Sequence, residues 1–173
     1  MIKAIGKGSL ATILAVGLHI VRVIVWIGLV GLTVGLVIAP LLPFLVEWAS
    51  KTEGVNFDNE LDIGADDIVS LLYHFITFGV ILYVIERLLE LLRTLRLGSP
   101  FVKENADRFK HVGFALLFGE AAKIVIGIAA VIFDADVDMD IELITFLSIA
   151  AVFVLAEVFS EGARMKEEQD LTV

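Results

Sequence analysis

Two opposite charges stand three residues apart in the apolar run "FGEAAKIVIG": Glu120 and Lys123. Residues at i and i+3 of a helix share a face, so their side chains meet. An ionisable group at membrane depth costs about 2.5–3.5 kcal/mol on insertion scales. Two readings justify that cost. The pair is an internal ion pair that fixes helix packing, or it is a proton or ligand site. Because the charges cancel, packing is the simpler reading. Glu157 and Arg22 stand near the same end of two other apolar runs. They either reach the interface as snorkelling side chains or join Glu120 and Lys123 in an intramembrane polar cluster of four.

Other chemistry is sparse. The three histidines, His19, His74 and His111, fall at different depths, with no two on one face of one helix, so neither haem nor metal ligation is expected. The chain has no cysteine, which excludes disulfides, thiolate metal sites and a cysteine nucleophile. No glycine-rich phosphate loop and no His-Glu-x-x-His pair occurs. The alternating aspartates of "DADVDMD" lack the glycine and terminal glutamate of a calcium loop, so they read as a solvated acidic loop. With no nucleophile–base pair either, the expectation is a protein that is not an enzyme and carries no cofactor.

The elements that position these residues follow from hydropathy. Of 173 residues 58% are hydrophobic, and the mean hydropathy is +0.92. One small soluble core does not hold that excess. A span needs roughly 20 apolar residues, and four stretches qualify, at about 21–43, 68–86, 112–133 and 141–160. The reading is an all-α polytopic membrane protein, a single domain of four transmembrane helices. Outer loops at 44–67 and 134–140 and a hairpin at 87–111 connect them. The first twenty residues, with Lys3 and Lys7, read as an interfacial lead-in helix. Gly31 and Gly35 form a small-xxx-small pair that permits close helix approach within the chain, or between copies in a homo-oligomer. Pro40 and Pro43 end or kink the first span.

Lys and Arg set orientation. Between spans one and two there are seven acids and one base, Lys51. The loop between spans three and four, with the start of span four, carries five acids and no base. Residues 86–111 carry six bases: Arg87, Arg93, Arg96, Lys103, Arg108 and Lys110. Both termini and the hairpin are therefore expected in the cytoplasm, with the acidic loops outside. In "ERLLELLRTLRL" the helical period continues past span two, with Leu88, Leu91, Leu92 and Leu95 as its apolar stripe. Gly98 then suits the position after a helix, Ser99 an N-cap and Pro100 the first helical residue. Helices two and three thus extend into the cytoplasm as a hairpin, and the C-terminal "EGARMKEEQDLTV" is placed alongside it.

The block "LRLGSPFVKENADRFKHVG" resembles a four-span bacterial membrane protein family catalogued as domain of unknown function 2975. Gly98, Pro100, Phe101, Glu104, Asn105 and Arg108 carry the likeness. A second block matches at Glu157, Phe159, Gly162, Glu168, Leu171, Thr172 and Val173. The resemblance implies no established activity. It implies a bacterial inner-membrane location, and a setting in which members are often encoded beside a small helix-turn-helix DNA-binding protein.

Two function classes follow. In one, the protein is regulatory or scaffolding. Its hairpin, through Arg93, Arg96, Gly98, Pro100, Phe101, Glu104, Asn105 and Arg108, together with its C-terminal tail, docks a soluble partner such as a helix-turn-helix regulator. No direct contact with nucleic acid is expected. In the other, it is a small transporter or channel subunit with a polar path at Glu120, Lys123 and Glu157.

Overall fold

The structure, a computed structural model, describes residues 10–53, 64–98, 100–136 and 143–171. Every element in them is helical. Helix α1 spans Leu10–Ile38 and α2 Leu42–Glu53; α3 spans Ala65–Arg96, α4 Lys103–Ile132 and α5 Leu143–Asp170. At 1.5 Å per residue, α3 is about 48 Å long, well beyond the roughly 30 Å of bilayer hydrocarbon. Four segments are long and apolar enough to cross a membrane: Leu10–Trp48, Ala65–Arg96, Lys103–Ile132 and Leu143–Asp170. The chain is a multi-pass membrane protein.

Residues 10–20 are no separate lead-in helix, because α1 runs unbroken through them. The part of that expectation resting on Lys3 and Lys7 lies outside the described residues. Pro40 does not end the first span. Its missing N–H is accommodated by a 3-10 turn, Ala39–Leu41, in which the Leu42 N–H bonds the Ala39 carbonyl, and α2 continues beyond. At the start of α3, the Asp67 carboxylate accepts the Gly64 N–H at 3.0 Å. This satisfies one of the backbone donors orphaned at a helix start.

The helices pack serially: α1 on α3, α3 on α4, and α4 on α5. No other pair of these four packs extensively among the described residues, so the bundle is open rather than closed on itself. Each neighbour runs antiparallel. Val25 and Leu29 of α1 bury against Ile85 of α3, with Phe78 and Leu82 around them.

Glycine sets the closest approach, but not at the expected pair. A Cβ at Gly28 would strike the Phe78 ring, and one at Gly35 would sit 3.3 Å from Leu71, both on α3. A Cβ at Gly31 would meet nothing. The seam therefore uses Gly28 and Gly35, seven residues apart, which is two turns on one face. Gly31 to Ile should leave the melting temperature in detergent unchanged. Gly28 to Ile should lower stability by about 1–3 kcal/mol through overpacking; equal melting of the two variants would refute the assigned seam.

Candidate functional site

Two polar sites are built into this frame. The first is in the membrane. Lys123 Nζ lies 2.9 Å from Glu120 Oε1 across one helical turn of α4. Glu120 is only 5% exposed, and its second oxygen, Oε2, is buried with no hydrogen-bond partner. Gly113, seven residues earlier on the same face, packs against Phe153 of α5. Glu120 therefore points at the seam between α4 and α5.

The expected cluster of four does not assemble. Glu157 is exposed on α5 and makes no ion pair among the described residues. Arg22 is half-buried on α1, which packs on α3 and not extensively on α4 or α5. The ring nitrogens of His74 and His111 meet carbonyls of their own helices, at Ser70 and Asp107.

The second site is the hairpin between α3 and α4. Gly98 has φ +80°, the left-handed conformation that reverses the chain after α3. Helix α4 then starts later than expected. Its N-cap is Val102 in extended backbone, with no side-chain cap, so Pro100 precedes the helix rather than opening it. The expected N-cap, Ser99, lies outside the described residues.

What fixes this turn is Asn105, which is 0% exposed. Its Nδ2 donates to Thr94 Oγ1 and to the Pro100 carbonyl, each at 2.7 Å. Its Oδ1 accepts from Arg108 Nη1, also at 2.7 Å. One amide thus joins the end of α3, the loop and the start of α4. Arg108 Nε continues the chain of bonds to Glu90 Oε2 at 3.0 Å. Glu90 is shared with Arg87 at 2.9 Å, and Arg87 lies 4.9 Å over the Tyr83 ring.

The end of α5 lies alongside the hairpin, as expected of the C-terminal segment. The Phe159 ring sits 5.5 Å from Phe101 and 4.9 Å from Phe109. A Cβ on Gly162 would fall 2.5 Å from a Phe101 ring carbon. The two sequence blocks that carry the family resemblance therefore touch. Sequence reading missed Phe109 as a partner of this stack. Helical spacing gave no signal for it, since Phe101 lies before α4 begins.

Of the expected docking residues, Asn105 and Arg108 are engaged inside the hairpin. Arg93, Arg96, Lys103 and Glu104 are exposed around it. Phe101 is part-exposed, and Leu97 is 74% and Leu171 81% exposed. A groove at this end runs between Phe101–Glu104 and the stretch 163–171, and its lining carries Lys103 and Lys166 as well as Glu104, Glu167 and Asp170.

The intramembrane pair has a direct test. Lys123→Met leaves the buried Glu120 carboxylate without its ion-pair partner and should cost about 3–5 kcal/mol, whereas replacing both by Leu should be close to neutral. Thermal unfolding in detergent distinguishes these outcomes. Lys123→Met as stable as the wild type would show that the buried pair does not contribute to stability.

No curated protein and no solved structure matches the chain. The family described as "protein of unknown function (DUF2975)" matches residues 63–173. This stretch holds α3, α4 and α5, and with them the hairpin, the Asn105 node and the Glu120–Lys123 pair. The chain belongs to that family.

Proposed function

We propose that the protein is a non-enzymatic regulatory or scaffolding membrane protein. In this reading both termini and the hairpin are cytoplasmic, and the hairpin with the end of α5 docks a soluble partner. The observation that carries it is the construction of that end. A fully buried amide and a three-ring stack hold three helix ends together while leaving Leu97, Phe101, Arg93, Arg96 and Lys103 at the surface. Pre-organised apolar groups ringed by charge are what a protein partner uses for anchoring and steering. The bases of 86–111 outnumber its four acids, which supports placing it on the cytoplasmic side. It also suits a partner with an acidic face. A helix-turn-helix regulator is the partner that the family's genetic setting favours. Docking would read out the bundle by population shift: a membrane signal favours one packing of the open helix array, and with it one arrangement of the hairpin.

A second reading, a transporter or channel subunit, is supported by the unpartnered Oε2 of Glu120. The separation of Glu157 and Arg22 from the pair counts against a continuous polar path.

The test is a mild-detergent pull-down of the tagged chain from its native cells, beside a variant carrying Arg93→Glu and Arg96→Glu. A soluble protein in stoichiometric amount, lost from the variant but kept by Glu120→Gln, is the expected result. No soluble protein with the wild type, or loss only with Glu120→Gln, would overturn the docking reading. Orientation is checked in the same cells: a single cysteine at Arg96 should resist a membrane-impermeant maleimide until the cells are opened.

A further inference from the structure

Helix α1 packs on α3 through one face, where Ala11, Ala15, Val25 and Leu29 are buried. The line on its opposite face runs from Ile13 to Ile38 in alternating steps of four and three residues, the spacing of a helix–helix seam. All five isoleucines of α1, Ile13, Ile20, Ile24, Ile27 and Ile38, fall on this line, and none of its six leucines does. The remaining positions hold Gly17, Gly31 and Val34. Lipid tails meet isoleucine and leucine alike, so contact with lipid does not sort them. A packed seam does, because β-branched side chains are stiff and make defined knobs.

The seam has no occupant within the chain. Its isoleucines are 42–68% exposed. A Cβ on Gly17 or Gly31 would meet nothing within 4 Å, so both levels are open to an approaching backbone. The line presents on the order of 700 Å² per copy, close to the roughly 800 Å² per partner of a standard interface. Gly28 meets Phe78 and Gly35 meets Leu71, and in that register Ile13 stands level with Arg93 of α3. Charged side chains at that level are costly in hydrocarbon, so lipid is a poor cover for the start of the line.

We propose that two copies of the chain associate through this isoleucine line of α1. The line carries no charge with which to select a different protein, and it is complementary to itself. Copies that cross one membrane in the same direction run parallel, so a two-fold pairing sets each position against its own counterpart. The two glycine levels then let the backbones close, and the isoleucines between them interlock. This pairing is independent of docking at the hairpin, which is built from α3, α4 and α5.

Because the chain has no cysteine, single cysteines in the full chain report the seam. Ile27→Cys and Val34→Cys place a thiol on the line. Val30→Cys and Val37→Cys place one at similar depth, on exposed positions about a quarter turn away. Native membranes at low expression, treated with copper phenanthroline, should yield at least about fivefold more disulfide dimer from the first two than from the last two, since the bond needs Cα atoms within about 7 Å. Adding Gly31→Ile to Ile27→Cys should reduce its dimer about tenfold by overpacking a close level. Melting in dilute detergent, where copies separate, should stay unchanged and show the chain itself intact. Equal cross-linking at all four positions would mean random collision and overturn the proposal. No dimer from any of them, or undiminished dimer with Gly31→Ile, would also overturn it.

Discussion

A fully buried amide has to be hydrogen-bonded, and in this protein that requirement falls on Asn105. Leaving such a group unsatisfied costs about 1–3 kcal/mol. Its three strong bonds lead to Thr94 of α3, to the Pro100 carbonyl in the loop and to Arg108 of α4. The amide is satisfied only when all three elements hold one relative position. Everything at that end depends on this position. Phe101 follows Pro100 and is delivered onto Gly162. Phe159 then fits between Phe101 and Phe109, and α5 is drawn along the hairpin. In the other direction, Arg108 passes the constraint through Glu90 to Arg87 and the Tyr83 ring, where the apolar part of α3 begins.

The membrane half is held differently. There the helices gain little from hydrophobic burial against one another, because lipid tails are as apolar as leucine. Close approach of α1 to α3 at Gly28 and Gly35, and of α4 to α5 at Gly113, does that work instead. Serial packing of α1, α3, α4 and α5 leaves long apolar faces uncovered. A chain built this way has a firmly specified hairpin end and a more loosely specified array of spans. That contrast suits a protein in which the array responds and the hairpin reports.

Much of the fold was legible in the sequence. Four long apolar runs produced four spanning helices, and the left-handed turn at Gly98 followed from glycine after a run of helical period. The C-terminal segment lies beside the hairpin as read. The misses have physical causes. Helix α4 begins at Lys103 because Val102 takes the extended N-cap conformation without a side-chain signature, while Pro100 gives its carbonyl to Asn105. Spacing suggested Gly31 with Gly35, but which face of α1 meets α3 depends on rotation about the helix axis, which local sequence does not specify. For the same reason Glu120 and Lys123, on one helix, were found correctly as a pair. Arg22 and Glu157, on two other helices, did not join them. The role of Asn105 had no signal beyond its place in the family-like block, since a polar residue in a charged connector reads as solvated.

The claim that Asn105 specifies the hairpin end is tested most directly by amide hydrogen exchange on wild type and Asn105→Ala in detergent. The account predicts exchange about tenfold or more faster across 87–111 and at the end of α5, from the loss of buried hydrogen bonds, with the central parts of the spans unchanged. Equal protection of the hairpin in the two proteins would contradict it.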